Sequence, residues 1–100
     1  MTDPKQIQLI AYLQAKPGKE QDLADAVLAI VPAVLKEPGC IEYAPHVSRE
    51  DPSMVVMYEV WADQDALDLH AAGANLGALA ARFEELLATP LKLEPLQRLN

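Results

Sequence analysis

The run MVVMYEVW at residues 54–61 has β-branched or long apolar and aromatic side chains at nearly every position, which is the composition of a buried strand. Before it comes Ser48-Arg49-Glu50-Asp51-Pro52-Ser53, polar and rich in turn formers, and before that the extended, mostly apolar Cys40–Val47. Two strands joined by so short a loop form an antiparallel hairpin. Pro45 has no N–H to give a ladder, so the first of the two belongs at a sheet edge or contains a bulge.

The other elements follow from periodicity. Ile7, Leu9, Ala11 and Leu13 alternate with Gln8, Ile10, Tyr12 and Gln14, a strand whose second face is also partly apolar. Met1–Lys5 reads as a frayed lead and Lys16-Pro17-Gly18-Lys19 as a turn. From Glu20 onward Leu23, Val27, Ile30, Val31 and Val34 form one helical stripe, with Glu20 and Asp22 near the positive helix end. Pro32 predicts a kink near Ile30 or an end soon after, and Pro38-Gly39 closes the helix. Asp63 is an N-cap for a short helix ending near Gly73. A second helical piece places Leu76, Leu79, Phe83, Leu86 and Leu87 at core spacing, Gly77 weakening its first turn by about 1 kcal/mol. Pro90 ends it, and Leu91–Leu96 alternates as a last strand.

The order strand, helix, strand, strand, helical region, strand predicts one α+β domain over residues 1–100. It is ferredoxin-like, a four-stranded antiparallel sheet with helices on one face. That architecture leaves the other face bare, although strands one and three are apolar on both sides. With 51% hydrophobic against 23% charged residues there is apolar surface to spare, and a second copy packed sheet to sheet covers it. A homodimer, closed as a dimeric α/β barrel, is the expected assembly.

Fifteen acidic and eight basic residues give a net charge of -7 with no basic cluster, which argues against nucleic acid. The single cysteine forms no internal disulfide, and the Cys and His count is too small for a structural zinc site. The opening MTDPKQIQLI has neither the charge pattern of a secretory signal nor the length of a membrane span, so the expectation is a soluble cytoplasmic protein with no membrane partner. No glycine-rich phosphate loop, dinucleotide fingerprint, serine elbow or metal-ligand cluster is present, so neither a cofactor nor a metal is expected.

Three side chains stand out chemically. Glu59 lies mid-strand with Met57 and Trp61 on its own face. A carboxylate turned inward there must be hydrogen-bonded or hold its proton, in a buried network, at a subunit contact or in a pocket. Trp61 is either a core or interface anchor or a ligand platform. His70 sits on the short helix beside Ala71, Ala72 and Gly73, with room for either a satisfied helix-terminal imidazole or an acid, base or ligand-binding group. His46 reads as a solvated edge residue, and Tyr12, Tyr43 and Tyr58 as strand tyrosines with peripheral hydroxyls. Cys40 reads as a small buried hydrophobe with nothing nearby to lower its pKa.

The segments AKPGKEQDL at 15–23, EPGCIEY at 37–43, DPSMVVMYEVWADQDALDLH at 51–70 and LKLEPL at 91–96 together resemble the antibiotic biosynthesis monooxygenase family. These are small dimeric ferredoxin-like proteins that include cofactor-free quinol and anthrone oxygenases. The family's E-x-W pair is matched by Glu59 and Trp61, and its helix histidine by His70. A second histidine common in the family is replaced by Asn75, which can hydrogen-bond a substrate oxygen but cannot act as a base.

The resemblance implies a cofactor-independent monooxygenase using molecular oxygen on a quinol, anthrone or similar small apolar aromatic. It gives His70 proton transfer or phenolate binding, Glu59 orientation of His70 or substrate, Trp61 stacking, and Asn75 and Tyr58 substrate contact. Haem degradation, isomerisation and non-catalytic ligand binding on the same scaffold are the alternatives it leaves open.

Overall fold

In the computed structural model, which describes residues 3–100, alternation along the strands sets the architecture. β3 (Met54–Trp61) buries Val55, Met57, Glu59 and Trp61 on one side, while Met54, Val56 and Tyr58 on the other stay half-exposed. β1 (Ile7–Gln14) pairs with it antiparallel and buries Leu9, Ala11 and Leu13 on that same side. β2 (Cys40–Val47) and β4 (Lys92–Leu96) add antiparallel outer strands, giving the order β2-β3-β1-β4. This is the ferredoxin-like sheet predicted above. β2 is an edge strand and has a register shift between Cys40 and Glu42, while Pro45 pairs in register with Met57. The irregularity thus falls around Ile41, not at the proline.

α1 (Glu20–Val34) buries Leu23, Ala26, Val27 and Val34 against the sheet. Pro32 lies in its last turn and the helix stops two residues later. The carbonyl deprived of a donor by the proline belongs to Leu28, which is 56% exposed, where water can satisfy it. α2 (Gln64–Ala71) starts as predicted, the Asp63 carboxylate accepting the Ala66 N–H at 2.9 Å.

The second helical piece is in fact two, α3 (Ala74–Ala80) and α4 (Phe83–Leu86), broken at Ala81–Arg82. The break turns the chain back to the end of β1, where the Lys16 N–H donates to the Leu86 carbonyl and the Ala88 N–H to that of Gln14, both at 2.8 Å. Leu86 and Leu87 are delivered to the core by this anchor. β4 begins one residue later than expected and all five of its residues are exposed, because β1 is its only neighbour in the sheet. Of the expected lead, Met1 and Thr2 lie outside the described residues, and Asp3 accepts backbone N–H bonds from Lys5 and Gln6 in a turn. Among the described residues no helix is long and apolar enough to cross a membrane.

Candidate functional site

Glu59 stands at the middle of the sheet, opposite Leu9 of β1 and Tyr43 of β2. Its carboxylate is 5% exposed and needs a donor. The strand supplies one two residues on, since the Trp61 Nε1–H donates to Glu59 Oε1 at 3.0 Å on the same face. Burial pushes the Glu59 carboxyl above its ordinary range. The Trp61 N–H and the nearby His70 pull it back, and the Glu37 charge pushes it up again.

α2 brings His70 over this carboxylate. The close seat depends on Gly39, at φ +76°, where a Cβ would come within 2.5 Å of the Ala66 Cβ, and the Gly39 carbonyl accepts the Ala62 N–H at 2.8 Å. Ala66 and His70, one turn apart, are the buried residues of the helix. The His70 ring is 4% exposed, with its centroid 4.5 Å from that of Trp61 at an interplanar angle of 30° and 5.4 Å from Tyr43, edge-on. Its Nδ1 lies 2.9 Å from Glu37 Oε1, and its Nε2 lies 4.0 Å from Glu59 Oε1. The other Glu37 oxygen accepts from Asn75 Nδ2 at 2.8 Å.

Beside this cluster is a cavity of about 60 Å³ with almost wholly apolar walls. Leu9, Ala11 and Met57 form its floor, Leu76, Leu79 and Phe83 its cover, and Glu59, His70 and Tyr43 its titratable lining. Burial and the Glu59 and Glu37 charges hold the Tyr43 phenol well above its usual range, so it stays protonated. The 4.0 Å between His70 Nε2 and Glu59 Oε1 is too long for a direct hydrogen bond and short enough for one oxygen, at about 2.8 Å from each, to bridge.

The residues singled out from sequence divide three ways. Glu59 and His70 meet at the cavity. Trp61 and Asn75 stand behind them, Trp61 fully buried against the His70 ring and Asn75 held on Glu37, and neither lines the cavity. Tyr58 pairs with Ile10 and Ala44 and faces the opposite side of the sheet, so it does not reach the cavity, because successive strand residues point to opposite faces.

Tyr43, expected with its hydroxyl at the periphery, is 4% exposed and forms part of the lining. Its position opposite Glu59 follows from the hairpin register. Glu37 was not foreseen as a site residue, and the only signal for it was its place in EPGCIEY. His46 lies exposed on β2, its Nδ1 against the Ala44 carbonyl at 3.0 Å. The Cys40 thiol is pushed up to about 11 by burial and by the Glu37 and Glu59 charges. Among the described residues no group of three or more His, Cys, Asp and Glu side chains is placed to hold a metal ion.

Residues 7–82 match the family described as "Antibiotic biosynthesis monooxygenase". The chain is 35% identical over 80 residues to the Escherichia coli K12 protein named "Probable quinol monooxygenase YgiN", covering 70% of this chain and 77% of that one. It is 24% identical over 82 residues to the uncharacterized sll1783 of Synechocystis, covering 82% of this chain but 56% of that longer protein. The crystal structure of PA3566 from Pseudomonas aeruginosa superposes with a TM-score of 0.89 at 31% identity, covering 96% of each chain. Fold, order of elements and sequence agree, and the chain belongs to the antibiotic biosynthesis monooxygenase family.

Proposed function

We propose that the protein is a cofactor-independent monooxygenase of a small quinol. The observation that supports this best is the pairing of His70 Nε2 with Glu59 across 4.0 Å at the wall of an otherwise apolar cavity. Such a site offers a proton acceptor and an anion-orienting environment, and the substrate itself supplies the electrons.

His70 Nε2 removes a proton from a quinol hydroxyl, and the quinolate passes one electron to O2. The resulting semiquinone and superoxide combine, forming a ring C–O bond, and the peroxide takes its proton from the His70 imidazolium. Loss of water breaks the O–O bond and removes the ring hydrogen, leaving a hydroxyquinone. One quinol and one O2 give one hydroxyquinone and one water, with no external reductant.

The cavity is smaller than the space of about 150 Å³ in which a protein core can hold benzene, so substrate entry must move the cover. A compact quinol demands less movement than a tricyclic anthrone. Oxygen uptake by metal-stripped protein on a panel of hydroquinones and anthrones, with autoxidation controls, tests the proposal. Uptake in equimolar ratio to quinol is expected, with kcat falling about 10²–10⁴-fold in His70→Ala. Uptake no faster than autoxidation, or unchanged in the variant, overturns it.

The active form in this reading is a homodimer joined through the bare sheet face. Ile10, Tyr12, Val56 and Tyr58 are half-buried there with no helix above them, and Gln8 is 6% exposed with its side-chain nitrogen lacking an acceptor among the described residues. A partner sheet covers the first group and offers an acceptor to the second. Sedimentation should give twice the chain mass and the Val56→Arg variant a monomer; a monomeric parent sinks this part.

A further inference from the structure

We infer that Glu37 and Asn75 act as a clamp that decides which nitrogen of His70 carries its proton, keeping it on Nδ1 and presenting Nε2 to the cavity as the base. The consequence for turnover rests on the oxygenase reading. The choice of nitrogen does not.

A carboxylate only accepts hydrogen bonds, so with Glu37 Oε1 2.9 Å from Nδ1, the neutral ring donates from Nδ1 and leaves the Nε2 lone pair free. Glu59 competes for the ring proton from the other side, but at 4.0 Å it is beyond hydrogen-bonding distance and already accepts from Trp61. Removing Glu37 would leave Nδ1 without an acceptor, and the proton would move to Nε2, where Glu59 is the nearest carboxylate. The base would then face the cavity with its lone pair occupied.

The clamp is itself held. Glu37 lies in the connection between α1 and β2, its N–H donating to the Val34 carbonyl at 2.9 Å and its carbonyl accepting the Cys40 N–H at 3.2 Å. Its second carboxylate oxygen is taken by Asn75, in the first turn of α3. The amide orientation follows from its partner, because only an N–H can satisfy a carboxylate.

The charged or titratable groups around His70 are Glu37 from the connection, Glu59 from β3, Tyr43 from β2 and Cys40 at the start of β2. The phenol and the thiol are both held neutral at physiological pH, which leaves the two carboxylates to set the ring's state. Asn75 does not titrate, so its hold on Glu37 requires no particular charge or tautomer of its own. Glu37 is on this account a positioning residue, acting through His70.

Long-range ¹H–¹⁵N correlation spectra of ¹⁵N-labelled protein report the ring state directly, and His46→Gln removes the only other histidine signal. The wild-type ring is expected protonated at Nδ1 when neutral. Glu37→Leu should move the proton to Nε2 and lower kcat for the quinol about 10–100-fold with little change in KM. Glu37→Gln keeps an acceptor, so it should retain the Nδ1–H form and most of the kcat that Glu37→Leu loses.

Asn75→Ala, further from the core, should loosen the preference in the same direction by a smaller factor. It also serves as the probe if the Glu37 variants do not fold. A wild-type ring protonated at Nε2, or a preference unmoved in both Glu37→Leu and Asn75→Ala, overturns the clamp. An Nδ1–H ring in protein that takes up no oxygen upholds the clamp and overturns the oxygenase.

Discussion

Replacing Trp61 by phenylalanine tests whether the buried Glu59 carboxylate depends on the indole. Trp61 is fully buried and its Nε1–H is the donor to Glu59 at 3.0 Å. Phenylalanine lacks that N–H and two ring carbons, whose lost burial costs about 1.6 kcal/mol at ~0.8 kcal/mol per buried carbon. A hydrogen bond to an ionised group contributes about 1.5–3 kcal/mol more.

The sum, about 3–4.5 kcal/mol, is a large part of the ~5–15 kcal/mol that stabilises a domain of this size, and corresponds to a fall in Tm of about 15–30 °C. The cost must also depend on pH. The Trp61 N–H favours the charged carboxylate, so its loss raises the Glu59 pKa further and penalises the fold wherever the unfolded carboxyl is ionised. Below the ordinary glutamate value of 4.5 both states are neutral, and the bond is worth only the ~0.5–1.5 kcal/mol of an uncharged pair. Urea titrations at pH 4 and pH 8, at one protomer concentration so that association does not confound them, should show a cost about 1–1.5 kcal/mol greater at pH 8. A cost below about 1.5 kcal/mol at pH 8, or equal costs at the two pH values, would refute the coupling.

Glu59→Gln should abolish the pH trend that this carboxyl gives the parent. Because the folded carboxyl keeps its proton above 4.5 while the unfolded chain loses it, wild-type stability falls as pH rises through that window, whereas the glutamine protein should stay level, and parallel urea midpoints across the window would refute this. Gly39→Ala should cost about 2–5 kcal/mol, from the left-handed backbone plus the collision with Ala66, whereas Gly18→Ala, at φ +84° with open space around it, should cost only the backbone part of about 1–2 kcal/mol; equal losses in Tm would mean that α2 is not held by this contact. Cys40, raised from 9.0 to about 11, should alkylate at pH 8 on the order of 100-fold more slowly than a free thiol, and rapid labelling of the folded protein would contradict the burial assigned to it.

The strands were legible because their period of two survives in the sequence. The boundaries of Cys40–Val47 and Met54–Trp61 coincide with those read from alternation and turn residues. The helical region after Gly73 was less so. Leu76, Leu79, Phe83, Leu86 and Leu87 keep one stripe across the break at Ala81–Arg82, and what breaks the helix is the bonding of Leu86 and Ala88 to the end of β1, a contact between distant segments that no local pattern contains. β4 shows the same dependence on neighbours, its alternation legible but its inner face left open by the helices.

The candidate site was half legible, for a related reason. An apolar strand with one carboxylate draws attention to Glu59, and a histidine among small residues on the next helix to His70. The parity that places Glu59 with Met57 and Trp61 also sends Tyr58 to the other face, and the hairpin register puts Tyr43 in its place. Glu37 gave no such sign. It lies between Lys36 and Pro38 in a polar connection, 33 residues before the histidine it contacts, and its value comes from where the α1–β2 turn delivers it. Asn75, read as a substrate contact in place of an imidazole, points instead to Glu37. An amide there donates to the Glu37 carboxylate with no charge or tautomer of its own to maintain, whereas an imidazole would have to be charged or correctly tautomerised to do so. Asn75 in place of the family's second histidine therefore fits a site in which Glu37 orders the one histidine and a group that does not titrate holds Glu37.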